Sequence, residues 1–293
     1  MDDDHIVEAV APEAAFSVLA DDSRIAILRA LWDAEGQRAT FSELREAVGM
    51  RDSGKFNYHL GKLTDRFVRK ADDGYELRAA GRHVVGALLS GAYTMDGEID
   101  PIDLDDPCPL CGDALTFSYE DDRARIECAD GPFETAFPIP PGAFAGYPAE
   151  AFPELADRYL RTLLSQARNE FCSACEGRVT LSLTEKQLDE LPPTMDGLVL
   201  ATYDCDRCGM STQLDLATLL LDEPAVVRFY DEHDVDVRTI RFWQLGARSG
   251  LPRSTIPAEG PHAADVTYEI DGDAVTLSVA DDLSVVSVER ESA

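Results

Sequence analysis

Lysine is almost missing from this chain: Lys55, Lys62, Lys70 and Lys186 are the only four among 293 residues. Long apolar runs are missing too, which excludes a membrane-spanning helix. The opening MDDDHIVEAV carries neither the basic nor the apolar stretch of a secretory signal, so a cytoplasmic location is expected. No HExxH, GxSxG, P-loop or GxGxxG phrase occurs, and the five histidines are scattered. The one dense titratable cluster, Asp231-Glu232-His233-Asp234, reads as a solvated helix end, so the chain is read as a non-enzyme. None of the seven cysteines precedes Cys108, which leaves the first third without a thiol-based sensing motif.

What is present is acid. The 26 basic and 56 acidic side chains leave a net charge of −30, yet 45% of the residues are hydrophobic, enough for a real core. An acidic, lysine-poor surface over a normal core resembles proteins of salt-accumulating archaea. In molar salt the Debye length is about 3 Å, so self-repulsion is screened. The charge is unevenly spread. From Pro12 to Lys70 there are ten Lys or Arg against nine Asp or Glu, whereas from Asp96 onward there are 14 against 40. A segment spared from acidification is what a surface facing a polyanion needs.

Within that segment Phe56, Leu60, Leu63 and Phe67 recur at helical spacing and predict one buried stripe. Gly54, Lys55, Tyr58, Gly61 and Lys62 fall opposite it, with Asn57 and His59 on the shoulders and Asp52 or Ser53 as the cap. The stretch fits a helix docked on base edges; an ordinary amphipathic helix with a solvated basic face fits it as well. The flanks supply Ala14–Leu19 and Asp22–Ala34 as helices, and Thr40-Phe41-Ser42-Glu43 as a capping box opening FSELREAVG. Phe67–Lys70 and Tyr75–Leu77 are strand candidates joined by Ala71-Asp72-Asp73-Gly74, and Ala79–Tyr93 is a last helix.

That order is a winged helix-turn-helix, and LADDSRIAILRAL, FSELREAVG, FNYHLGKL and DDGYELRAAG resemble winged-helix repressors of the ArsR class in their haloarchaeal version. The resemblance implies binding of double-stranded DNA, usually as a homodimer joined through the first and last helices. The expected DNA-binding residues are Arg51, Ser53, Lys55, Asn57, Tyr58, His59 and Lys62, with Arg69 and Lys70 beside the wing. Three rival readings stay open: a basal factor acting through RNA polymerase, a metal- or small-molecule-responsive sensor, and an adaptor whose winged helix binds only protein.

DGEIDPIDLDDP, Asp96–Pro107, reads as an acidic linker between residues 1–95 and a cysteine-rich domain over 108–293. Cys172, Cys175, Cys205 and Cys208 stand as two C-x2-C pairs, the donor set of a closed, structural Zn2+ site; an iron–sulfur cluster uses the same four ligands. Cys108, Cys111 and Cys128 supply three further thiols, but Gly131 stands where a fourth would be. Asp130 or a remote histidine would have to complete that site, unless it has lost its metal or serves as an open sensor. Around the cysteines, ALTFSYE and RARIECA predict a hairpin, Glu150–Phe171 a long helix, GRVTLSLT and GLVLATY ribbon strands, and LTEKQLDEL an inserted helix. Pro224–His233 predicts another helix, and Asp265–Arg290 a three-stranded meander. The expectation is an α+β protein: a winged helix-turn-helix domain, then a zinc-ribbon-containing α+β domain for sensing or partner contact.

Overall fold

The computed structural model describes residues 10–186, 198–258 and 262–293, which fall into two units, Met1–Met95 and Asp96–Ala293. In the first, helices α1 (Pro12–Leu19) and α2 (Asp22–Asp33) are followed by a short strand β1 (Arg38–Ala39), then α3 (Phe41–Ala47) and α4 (Ser53–Leu63). Strands β2 (Val68–Ala71) and β3 (Gly74–Leu77) form a hairpin, and α5 (Ala79–Leu89) closes the unit. The capping box forms in both directions: Thr40 N donates to Glu43 Oε2 at 2.7 Å and Glu43 N to Thr40 Oγ1 at 3.3 Å. Asp52 caps α4, its Oδ1 accepting from Gly54 N at 2.8 Å and Lys55 N at 3.0 Å. The predicted stripe is the core: Phe56, Leu60, Leu63 and Phe67 are buried with Ile27, Leu28 and Leu31 of α2 and Leu44 of α3. Two details differ from the sequence reading. Strand β1 pairs with β3, making a three-stranded sheet, and α5 ends at Leu89 instead of Tyr93, the chain turning at Gly91 with φ +76°.

The second unit opens with a correction. Asp96–Pro107, expected as a linker, contains β4 (Ile99–Pro107), which pairs antiparallel with β5 (Ala114–Glu120). β6 (Arg123–Cys128) and β7 (Glu134–Pro138) complete a sheet ordered β4-β5-β6-β7. The acids mislead because they lie mostly on the outer face, while Leu104 and Asp106 point inward. Helix α6 (Phe152–Arg168) packs on this sheet and on a second one formed by β8 (Val179–Lys186), β9 (Leu198–Cys205) and β10 (Ser211–Asp215), Leu160 touching both cores. The order there is β10-β9-β8. The helix expected over LTEKQLDEL is not found where it would begin, because Leu183–Lys186 continue β8 in register with β9; its remainder lies outside the described residues.

Helices α7 (Leu216–Leu219), α8 (Pro224–Asp231) and α9 (Phe242–Ser249) then lead to an antiparallel sheet of β11 (Arg253–Thr255), β12 (Ala264–Ile270), β13 (Asp273–Val279) and β14 (Val285–Glu291). The expected meander is thus β12 to β14, with β11 added at its edge. Helix α9 contributes Trp243 to the core of the first sheet and Leu245 to that of the last. The chain is a mixed α+β protein with several antiparallel sheets. Among the described residues no helix is long and apolar enough to cross a membrane.

Candidate functional site

All seven cysteines are free thiols, and the fold gathers them into two groups: Cys172, Cys175, Cys205 and Cys208, and Cys108, Cys111 and Cys128, the sulfurs of each lying within 4.8 Å of one another. The same backbone turn recurs in both. The amide of the first cysteine donates to the carbonyl five residues on: Cys108 to Asp113 at 2.7 Å, Cys172 to Gly177 at 2.9 Å, Cys205 to Met210 at 2.8 Å. Its carbonyl accepts from the amide four residues on, from Gly112 and Glu176 at 2.9 Å and Gly209 at 3.0 Å. That fourth residue is left-handed each time, with φ of +82°, +55° and +74° in turn, which explains the glycine at two of the three. Cys108 and Cys172 also accept from the amides of Leu110 and Ala174, both at 3.4 Å, so thiolate charge is met by backbone dipoles.

In the four-cysteine group Cys175 and Cys205 are 3.5 Å apart and Cys172 and Cys208 3.7 Å. A disulfide requires about 2.05 Å. Four thiolates around a cation with sulfur bonds of about 2.3 Å sit about 3.8 Å apart, which these separations approach. The amides of Cys208 and Arg207 bring the Cys205 thiol down to about 6 despite its burial. Cys175, although the Gly177 amide acts the other way, is pushed up to about 12 by burial and by the other sulfurs. One negative charge is therefore already favoured in the cluster, and the donor set fits a metal ion.

The second group is a quartet with one corner removed. Cys128 N still donates to the carbonyl five residues on, Phe133, at 2.9 Å, so the fourth turn survives in outline. The thiol position is Gly131, and the left-handed position is Pro132, which lacks an amide and cannot adopt positive φ. A Cβ on Gly131 would lie 3.0 Å from Cys111 Sγ and 3.2 Å from Cys128 Sγ, so this backbone borders the sulfurs directly. Asp130 is exposed and joins no ligand group, and among the described residues no histidine does either, so of the open alternatives neither Asp130 nor a histidine stands as the fourth ligand. Three thiols that could hold a metal remain, with Cys111 and Cys128 3.4 Å apart.

In the first unit α4 carries an exposed polar face. Arg51, Ser53, Lys55, Asn57, Tyr58 and Lys62 are exposed, as are Arg69 and Lys70 on β2. The Lys62 ammonium lies 5.5 Å from the centre of the Tyr58 ring one turn earlier. His59 is the correction. It is 5% exposed, its Nδ1 facing Asp21 Oδ1 at 3.5 Å, because the amino-terminal end of α2 closes over that shoulder of α4. Arg69 is exposed but paired: it and Arg38 both engage Glu76 on β3. A notch of about 480 Å³ beside the end of α4 is lined by Lys62, Arg66 and Arg78 with Asp65 as its one acid, a group that periodicity did not reveal.

A family model described as a domain of unknown function, DUF7347, matches residues 12–88. A second, described as a domain of unknown function, DUF7351, matches residues 105–285. No curated protein and no solved structure gives a match. The larger match takes in both cysteine groups and more than half of the sequence, and the chain belongs to the DUF7351 family.

Proposed function

We propose that this protein is a DNA-binding transcription regulator of the ArsR-like kind from a halophilic archaeon, its first unit a winged helix-turn-helix and its second a zinc-stabilised module that receives a signal or partner. The observation that carries the reading is the exposed face of α4, where Lys55, Asn57, Tyr58 and Lys62 stand together on a chain with 56 acidic residues. In this reading α4 enters the major groove, with Tyr58 and Asn57 against base edges and Lys55 and Lys62 against bases or phosphates. Tyr58 holds the Lys62 ammonium over its ring and so limits the rotamers lost on binding. Lys62, Arg66 and Arg78 around the notch would meet a flanking phosphate. Lys70 is the cation offered by the wing, since Arg69 and Arg38 share Glu76.

A homodimer accords with what α1 leaves uncovered. No residue of α1 is buried, and Phe16 on α1 and Leu89 on α5 are 70% and 48% exposed. In the second unit, Cys172, Cys175, Cys205 and Cys208 would hold Zn2+ with all four positions taken, which supplies structure and leaves no open site for chemistry.

The test is a genome-wide crosslinking map of the protein in its own cells, beside a Lys55→Glu, Lys62→Glu double variant. A few sharp sites that vanish in the variant are expected. Signal at most active promoters would move the protein to a basal role with RNA polymerase, and no enrichment would leave the first unit as a protein-binding adaptor.

A further inference from the structure

We propose that the second unit binds a small, largely apolar organic anion in a cleft between α6 and the free edges of β7 and β10. The cleft has a volume of about 410 Å³, the size of a small-molecule pocket. Strand β7 ends one sheet and β10 ends another, so the two open edges flank it. Leu160, Leu163 and Ala167 of α6 line one side together with Phe137, Val179 and Leu214, while Ser211, Thr212 and Gln213 of β10 bring polar groups to the other.

Two further polar groups give the cleft its chemistry. Tyr203 is 3% exposed, and its hydroxyl is buried with no hydrogen-bond partner among the described residues. Tyr203 lines the cleft while its hydroxyl is shut off from solvent, so an occupant seated deeply enough to reach it would supply the acceptor it lacks. Arg123 is exposed at the rim, where Nη2 donates to the Ala136 carbonyl at 2.9 Å, and it has no carboxylate partner among the described residues. Elsewhere in this acidic unit arginines are commonly neutralised, as Arg125 is by Glu134 and Arg253 by Glu269. An unpaired guanidinium beside an apolar wall selects a molecule with a carboxylate or sulfonate on an apolar body: the anion at Arg123, the body along α6, an oxygen accepting from Tyr203. The cleft also touches Cys172, so an occupant would press against the four-cysteine group. This inference stands independently of DNA binding by the first unit.

The test uses the full chain in molar KCl, titrated with 8-anilinonaphthalene-1-sulfonate and then challenged with decanoate or decanol. Saturable binding to one site is expected, with decanoate displacing the dye at about tenfold lower concentration than decanol. Arg123→Gln should erase that preference, Tyr203→Phe should weaken decanoate about fivefold, and Leu163→Trp should fill the cleft and abolish binding. Should Leu163→Trp fail to fold, the two conservative variants decide. The proposal is overturned by absence of saturable binding, by a preference for decanoate that survives Arg123→Gln, or by dye binding untouched in a folded Leu163→Trp protein. Displacement by an extended peptide but not by decanoate would likewise overturn it and assign the open strand edges to a protein partner.

Discussion

Trp243 on α9 donates its indole N–H to Asp106 Oδ2 on β4 at 2.8 Å, across 137 positions of sequence. The same carboxylate accepts from Gln244 Nε2 at 2.7 Å and lies 3.1 Å from Arg241 Nη2. One buried acid thus collects three donors from a single four-residue stretch and ties the first strand of the second unit to a helix late in the chain. A buried carboxyl group is tolerated in a core only when its oxygens are met by donors in this way.

Asp106→Ala should therefore lower stability by about 3 kcal/mol, because it strands a guanidinium and two N–H donors together. Asp106→Asn, which keeps one acceptor, should cost about half of that. Urea unfolding followed by tryptophan fluorescence reads both. An unchanged midpoint for the alanine variant would show that the contact holds nothing together.

Elemental analysis of the purified protein should find zinc, not iron, with at least one equivalent surviving dialysis. Cys205→Ser should release that equivalent and lower the melting temperature of the second unit. Metal bound at Cys108, Cys111 and Cys128, which leaves one coordination position to a non-protein ligand, should be the first lost to a chelator. If Cys111→Ser and Cys205→Ser remove equally resistant metal, the distinction drawn from Gly131 fails.

His233 has both ring nitrogens in use, Nδ1 at 2.8 Å from the Phe229 carbonyl and Nε2 at 3.2 Å from Asp273 Oδ2. Both partners accept only, so the arrangement is complete when the ring is protonated, and its pKa is raised first by the Phe229 carbonyl and then, against burial, by Asp273. A raised folded-state pKa adds stability that is fully present below the unfolded value of about 6.5 and is lost as pH climbs through the folded one. Melting temperature should fall by on the order of one or two degrees between pH 6 and pH 8.5, and His233→Gln should flatten that step. A pH profile identical in the variant would remove His233 as its source.

If the first unit binds DNA through α4 as proposed, two residues of that helix should separate folding from binding. Lys62→Ala should weaken binding in molar KCl about tenfold with little change in melting temperature, because Lys62 is exposed. Loss of Arg69, already engaged by Glu76, should cost less. His59→Ala should instead destabilise the first unit by about 1–2 kcal/mol, since it empties a buried position against Asp21. Fluorescence anisotropy beside thermal melts distinguishes these; equal affinity losses for Lys62→Ala and Arg69→Ala would sink the assignment of α4 as the reading helix.

What the sequence determined by itself is what depends on neighbours along the chain. Thr40 and Glu43 cap α3, Asp52 caps α4, and Phe56, Leu60 and Leu63 form its buried stripe, because caps and helical periodicity are satisfied within a few residues. The C-x2-C turns were legible for the same reason: each closes its own hydrogen bonds within five positions. Tertiary structure decided the rest. Periodicity gives the direction of a buried face but not its width, so only the approach of α2 revealed that His59 is inside. The outward-facing acids made β4 look like a linker, and nothing local announced that Trp243, Gln244 and Arg241 would meet the inward Asp106. The missing corner at Gly131 was legible from spacing, but its closeness to Cys111 Sγ and the unpartnered hydroxyl of Tyr203 are products of elements far apart in sequence, where packing, not local preference, sets which atoms share a space.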